Sequence, residues 1–448
     1  MKLTANFSLL IISILLSMNA FAQKNEALAV QKSVELIELF KTEQYEKAYS
    51  LGDDIMLRRI SPDRLQGIWE SLASVNGDLK EVGTTSYLFI DTVHITTTKL
   101  KYKNGSVGLR LSFGLDWKLR GLFIVDAEPM YNIPEYVNTF GFYEIKIPFG
   151  PAGFEGEAIL TVPIQQKKYP CIVIIGGSGP IDKDATIGPN RIYKDFSWGL
   201  ANKGIATVRF DKRTKAYFGK MMQEHKNGNY YTIEQEYLED VKELVKKVGK
   251  KEAIDANRIY LMGHSQGGGL MPLFLKQNKS VAGAIMAAGN YTTMPNLMLY
   301  QFDYLMPMQV KTKSDSALFD KLRAQAKNAT KSNLSSTFPN DSLPAMYPFS
   351  YWNYMNKIEF VKLAKSNKKP VLIIQGERDY QVPLSEYKLW KDALVDHNNY
   401  MFTSFAKLNH LFMEGEGKST PDEYSKRGNV PEYVIEEIAK WIKAQPRK

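Results

Sequence analysis

Residues 258–271 read Arg-Ile-Tyr-Leu-Met-Gly-His-Ser-Gln-Gly-Gly-Gly-Leu-Met, and this stretch constrains the chain more than any other. Ile259 to Met262 have the continuous apolar character of a buried strand, while Leu270, Met271, Leu273 and Phe274 fall at helical spacing. Between them lies Gly263-His264-Ser265-Gln266-Gly267, a Gly-x-Ser-x-Gly turn. Such a turn holds its serine in a strained backbone conformation, and side chains two residues before and after it would collide. It lifts the serine Oγ out at the carboxyl edge of a sheet. It also aims the N–H groups of the new helix at any negative charge forming nearby. A glycine-rich strand-to-helix turn without chemistry is the plain alternative, and the flanking strand and helix argue against it.

At 448 residues the chain is long enough for two or three domains. Hydrophobic and charged contents of 44% and 24% describe a globular protein able to bury a large core. Residues 1–22 read as a secretory leader, with Lys2, the apolar run Leu9 to Leu16, and Ala20-Phe21-Ala22 before cleavage at Gln23. The expected product is exported, either periplasmic or secreted. No stretch is long and apolar enough for stable membrane insertion. The single cysteine, Cys171, sits in an apolar strand, which excludes an intrachain disulfide and disfavours a thiol nucleophile. The formal charge of +10 is spread as lysines over helices without interleaved aromatics, so nucleic acid is not an expected partner.

Residues 26–75 carry two or three amphipathic helices, with Val34, Ile37, Phe40, Tyr45 and Tyr49 in one apolar stripe and a helix start at Ser61-Pro62. From Lys80 the period becomes two, giving four or five strands with a hairpin turn at Asn104-Gly105. His94 falls on one of these strands and reads as a structural residue. Glu128 to Pro134 marks the boundary, so domains are expected at 23–128 and 129–448. Beyond an antiparallel pair at 142–148 and 154–162, strand and helix alternate, the signature of a mostly parallel sheet covered on both faces. Strands fall at 171–175, 205–210, 258–262, 281–287, 370–375 and 400–405. Residues 290–366 break the rhythm. They are rich in Met and aromatics at both ends, polar and helical over Lys311 to Asn333, and read as a lid above the strand ends.

A serine hydroxyl needs a histidine to take its proton, and the imidazole needs a carboxylate to fix its tautomer. In a sheet of this kind both sit on loops after later strands. The strand Val371 to Gln375 runs into Gly376-Glu-Arg-Asp379-Tyr-Gln-Val, which presents Asp379, with Glu377 as the alternative acid. The strand Met401 to Ala406 leads to Leu408-Asn409-His410, and of five histidines only His410 follows a strand at the right place. An oxyanion needs two N–H donors. Gln266, after the serine, supplies one. Gly176-Gly-Ser-Gly-Pro-Ile-Asp-Lys-Asp184 supplies the other, from Ser178 or, as runner-up, Gly177. That loop lacks the residues of a phosphate-binding motif. Asp182, Asp184, Asp211 and Arg213 read as loop-fixing ion pairs, and no metal site or cofactor is expected.

Residues from about 140 to 445 resemble the bacterial α/β-hydrolases of the serine esterase kind. The likeness rests on the elbow, on Gly176 to Asp184, Arg209-Phe-Asp-Lys-Arg-Thr, Tyr351-Trp352, Gln375 to Val382 and Leu408-Asn-His-Leu-Phe. The helices and antiparallel sheet ahead of it resemble the cone-shaped α+β nuclear-transport-factor-2-like (NTF2-like) superfamily and a domain of unknown function found before such hydrolases. The resemblance implies a Ser265–Asp379–His410 triad and an acyl-enzyme route, with a small-molecule ester as substrate. Met294, Tyr351, Trp352 and Tyr380 are the expected pocket residues, favouring an apolar or aromatic group. The alternatives are a serine peptidase or amidase on the same fold, or a binding protein with a weakly active hydrolase domain. The sequence does not set the oligomeric state.

Overall fold

Apolar alternation from Leu79 onward becomes a four-stranded antiparallel meander, β1 (Leu79–Ile90), β2 (Val93–Tyr102), β3 (Ser106–Phe113) and β4 (Leu119–Asp126), in that spatial order. The computed structural model describes residues 27–90, 93–126, 131–164, 168–226, 231–309 and 313–446. The leader read at residues 1–22 lies outside them. The contacts divide the chain into two units, Met1–Met130 and Tyr131–Lys448.

In the first unit, helices at 27–41, Tyr45–Ser50, Asp54–Leu57 and Pro62–Asn76 precede the meander. The last begins where Ser61 Oγ accepts the Arg64 N–H, with proline at its first position. Leu36, Ile37 and Phe40 pack with Leu100, Leu109 and Leu111 in one core. The sheet has four strands because β2 runs unbroken from Val93 to Tyr102. The hairpin between β2 and β3 turns at Lys103 and Asn104 rather than at Asn104-Gly105, with Tyr102 N–H donating to Gly105 O. The reason is local: the amides of Lys103 and Asn104 donate to Asp78 O and Asn76 O, which pins that pair as the tip. His94 is a buried strand residue stacked 4.0 Å from the Trp117 ring, and burial lowers its pKa.

In the second unit, β5 (Phe142–Phe149) and β6 (Gly156–Pro163) form an antiparallel edge pair. They continue into β7 (Tyr169–Ile175), then a small hairpin of β8 (Thr186–Ile187) and β9 (Asn190–Arg191), and β10 (Ala206–Arg209). The sheet is completed by β11 (Ile254–His264), β12 (Gly283–Ala287), β13 (Val371–Gly376) and β14 (Tyr400–Phe405). The order across its eight strands is β14-β13-β12-β11-β7-β10-β6-β5, and every pair from β14 to β10 is parallel.

Buried parallel strands send alternate residues to opposite faces. Cys171, Val173, Ile175, Leu261 and Ile373 join the helices Glu239–Val248 and Met271–Gln277 on one side. Ile172, Ile174, Met262, Leu372 and Ile374 join Ile192–Asn202 and Glu432–Ala444 on the other. From β7 the chain moves outward to β10 and then crosses back to β11. The strand order therefore reverses between β7 and β11, and the loops leaving those two strands open a crevice at the sheet's carboxyl edge.

Residues 290–366 form helices Met294–Gln309, Lys313–Ala329, Phe349–Asn356 and Phe360–Ser366 between β12 and β13. They lie against the loops at that edge. Gln301 Nε2 donates to Gln381 O at 2.8 Å, Tyr304 stacks on Tyr380 at 5.0 Å, and Tyr351 meets the Gln266 side chain. Among the described residues no helix is long and apolar enough to cross a membrane.

Candidate active site

At the end of β11 the backbone of Ser265 takes φ 56° and ψ −123°, a conformation that costs a non-glycine residue on the order of 1–3 kcal/mol. Close packing explains the flanking glycines. A Cβ on Gly263 would lie 2.1 Å from Gly267 O, and one on Gly267 would lie 2.6 Å from Gly176 O. The turn is held by Ser265 N–H donating to Ala287 O at 2.9 Å. The helix that follows, Gln266–Gly269, breaks at Leu270 before Met271–Gln277 resumes, where Pro272 cannot donate a backbone N–H.

Asp379 and His410 meet. His410 Nδ1 lies 2.7 Å from Asp379 Oδ2, with both side chains buried. Asp379 Oδ1 accepts the amides of Gln381 and Val382 at 2.8 Å each, and Oδ2 also accepts from Gln375 Nε2 at 3.1 Å. A carboxylate so surrounded accepts from the imidazole, which places the proton on Nδ1 and leaves Nε2 with a free lone pair. The His410 loop is shaped by Asn409, whose Oδ1 accepts the amides of Leu411 and Met413 and whose Nδ2 donates to Glu423. Glu377, the other acid of this turn, is exposed and accepts from Ser404 Oγ.

Ser265 adjoins this pair through its neighbour, since the His264 ring is 4.7 Å from the His410 ring. Its Oγ makes no hydrogen bond among the described residues. His264 Nε2 donates to His410 O at 2.9 Å, and its pKa is pushed down to about 3, first by burial and then by His410. The ring is therefore neutral, with Nδ1 as acceptor. Tyr193 OH lies 3.2 Å from that nitrogen and accepts the Gly177 N–H at 3.2 Å. Gly177, Tyr193, His264 and His410 O form one directional chain of hydrogen bonds.

That chain bears on the two loop amides singled out in the sequence. The Gly177 N–H is spent on Tyr193, whereas the amides of Ser178 and Gln266 donate to no group among the described residues. The loop abuts the serine closely enough that a Cβ on Gly177 would be 3.0 Å from Ser265 Cβ. Arg213 pairs with Glu239 and Asp240 rather than with a loop aspartate, Asp184 pairs with Arg209, and Asp211 with Lys183. Asp182 accepts the amides of Asp184 and Thr186.

A small cleft of about 30 Å³ beside the elbow helix is lined by Gln266, Leu270, Met294, Met355 and Phe360 among others. Ser265 and His410 do not line it. Of the expected pocket residues, Met294 borders the cleft. Tyr351 and Trp352 are wholly buried because the helix Phe349–Asn356 turns them, with Met355, into the core. Tyr380 is sandwiched between Tyr304 and Tyr424 beneath the inserted segment.

Sequence reasoning missed Lys212, Tyr193, Glu236 and Tyr237, all buried around the loop after β7. A signal for Glu236 exists. It stands three residues after Ile233 and eight before Leu244, an acid at core spacing on an otherwise apolar stripe.

Residues 190–411 match the family described as "Serine aminopeptidase, S33", and residues 33–122 match a "Protein of unknown function (DUF3887)". Esterase EstD of Thermotoga maritima is 31% identical over 415 residues, which span 92% of this chain and 95% of that protein. Among solved structures, Est1E from Butyrivibrio proteoclasticus is similar over 67% of this chain and 98% of its own, at 16% identity and TM-score 0.42. An esterase of Pyrococcus furiosus is similar over 70% and 98%, at 13% identity and TM-score 0.43. The chain belongs to the α/β-hydrolase family of serine hydrolases that includes EstD, with an N-terminal DUF3887 domain ahead of the hydrolase fold.

Proposed function

We propose that this protein is an exported serine carboxylic-ester hydrolase acting through Ser265, His410 and Asp379. The observation that carries the reading is the Asp379–His410 bond of 2.7 Å on loops beside a strained, part-exposed serine. His410 Nε2 takes the proton of Ser265 Oγ as Oγ attacks the ester carbonyl carbon. Unliganded catalytic hydrogen bonds are often open, so Oγ closes on Nε2 as substrate enters. The free amides of Gln266 and Ser178 donate hydrogen bonds to the developing oxyanion. Collapse of the tetrahedral intermediate expels the alcohol, which takes the proton from His410. Water, deprotonated by the same nitrogen, then attacks the acyl-enzyme and frees the acid and Ser265. Asp379 stays ionised throughout and stabilises the imidazolium. The Met and aromatic residues of the inserted segment beside Gln266, Met294 and Met355 among them, favour an apolar acyl or alcohol group.

The serine aminopeptidase description of the matched family favours a second reading, amide cleavage by the same groups. Fluorophosphonate labelling followed by an ester and aminoacyl-anilide panel tests both. Labelling of the wild type but not of Ser265→Ala, with turnover of p-nitrophenyl esters, is expected. Anilide cleavage with negligible ester turnover would support the peptidase. Equal labelling of Ser265→Ala would remove Ser265 from the mechanism.

A further inference from the structure

A lysine with no exposure to solvent sits beneath the loop after β7. Lys212 Nζ has four oxygens within hydrogen-bond distance: Gly177 O at 2.8 Å, Gly179 O at 2.9 Å, Glu236 Oε1 at 2.8 Å and Tyr237 OH at 2.7 Å. Its side chain is 1% exposed and that of Glu236 is 0%. Burying such a pair costs several kcal/mol per ion, and apolar residues of the same volume serve stability as well. Ion pairing with Glu236 alone would leave the two loop carbonyls out of the arrangement. They are instead the other half of it.

The carbonyls are those on either side of Ser178. In a trans peptide the C=O and N–H point in opposite directions from one rigid plane, and no described peptide bond is cis. The Gly177 C=O and the Ser178 N–H share such a plane. Gly177 O is gripped twice, by Lys212 Nζ at 2.8 Å and by Tyr237 OH at 2.6 Å. The grip turns the Ser178 N–H away from the lysine. On the other flank the Gly177 N–H is tied to Tyr193, so this glycine has no free backbone group. Tyr237 OH also lies 3.1 Å from Gln266 Oε1, whose amide nitrogen reaches Tyr351 OH at 2.9 Å. One phenol therefore touches Gln266 and the carbonyl that shares a peptide plane with the Ser178 amide.

We infer that Lys212, Tyr237 and Glu236 are positioning residues that preset the Ser178 amide for the tetrahedral oxyanion. The inference rests on the reading of Ser265 as nucleophile. Lys212 and Tyr237 hold the Gly177 carbonyl, Glu236 neutralises the lysine, and none of the three touches substrate. Tyr347 OH donates to Glu236 Oε1 at 2.9 Å, which brings the inserted segment into the same arrangement.

The test uses Tyr237→Phe, which removes one oxygen, and the charge-neutral double variant Lys212→Met/Glu236→Gln, which avoids leaving a buried charge unpaired. Fluorophosphonate titration to completion gives the active fraction, so kcat is expressed per reactive serine. An oxyanion donor is worth about 10²–10³ in kcat, and a donor that is present but loosely aimed loses part of that. We expect kcat per site on p-nitrophenyl butyrate to fall about tenfold in Tyr237→Phe and further in the double variant, with KM within twofold. The inhibition constant of an aliphatic trifluoromethyl ketone, which forms an oxyanion on Ser265, should rise by the same factor as kcat falls. A loss of melting temperature or active fraction with kcat per site and ketone affinity within twofold of wild type overturns the positioning role. Ser265→Ala run alongside separates the two levels. If it is inert, the nucleophile reading stands whatever the Tyr237 result, and if it retains hydrolysis, both fall.

Discussion

Asp379 is held by groups close to it in the chain, whereas the loop after β7 is held from far away. The contacts to Asp379 from Gln381, Val382 and Gln375 come from two, three and four residues away. Those that orient Gly177 come from Lys212 and Tyr237, 35 and 60 residues on, and they arrive through the core. A short turn after a strand can fix a carboxylate with its own amides. A glycine loop has no side chains with which to brace itself, so its carbonyls must be held from outside. In the proposed reaction the carboxylate is thus a local construction and the oxyanion half a tertiary one.

If that contrast is right, the two halves break differently. Asp379→Asn keeps the size and most of the local hydrogen bonds but reverses the tautomer preference of His410, and a loss of about 10⁴ in kcat is expected. The fold should survive, because the turn amides still find an oxygen. Circular dichroism with ester kinetics checks this, and a loss below tenfold would show that His410 does not depend on Asp379. Gly267→Ala acts on the other half without removing any polar group. Its Cβ would lie 2.6 Å from Gly176 O and 2.9 Å from Ile175 O, so the loop after β7 must retreat. We expect kcat to fall about 10²-fold, the order of one lost oxyanion donor, with fluorophosphonate labelling slowed in parallel. Unchanged kcat would mean that the loop's closeness to the elbow is not needed.

The same contrast decides what could be read from the sequence. The elbow was legible because a steric requirement writes glycines at fixed offsets, and the register of strands then located Asp379 and His410. The alternation of strand and helix along the chain pointed to the covered parallel sheet. Lys212 and Glu236 were not legible as a pair. Nothing in the sequence says that a lysine after β10 and an acid in a later helical turn share one buried point; that depends on how the turn Glu234–Leu238 and the helix that follows it lie on the sheet. The inserted segment misled for a related reason. Tyr351 and Trp352 looked like pocket residues because aromatics near a site are ambiguous, and only packing shows which face of a helix is turned to the core. The hairpin at 103–104 shows the same on a small scale, since carbonyls before β1 set its tip.

His264 offers the finest cut, because it joins the halves. Its Nε2–H donates to the carbonyl of His410 and its Nδ1 faces Tyr193, which holds Gly177. The bond from Tyr193 to Nδ1 requires the neutral ring, whereas the bond to the His410 carbonyl is kept in either state. Burial, reinforced by His410, puts the folded pKa at about 3, against about 6.5 for an exposed histidine. Between those values the unfolded chain binds a proton that the folded chain refuses, so stability rises with pH across the window. The contribution is complete above about pH 6.5 and is lost as pH falls toward 3, with an upper bound on the order of 5 kcal/mol. His264→Gln cannot titrate yet keeps an N–H that can reach His410 O. The wild type should therefore lose more melting temperature than His264→Gln between pH 7 and pH 4, with the two curves converging in slope above pH 7. Parallel curves over the whole range would mean that His264 accepts a proton in the folded state, and then the chain of hydrogen bonds from Gly177 to His410 has no fixed direction. A steeper acid limb in the wild type, with only a small change in kcat at pH 8, would show instead that the link between the halves serves folding more than turnover.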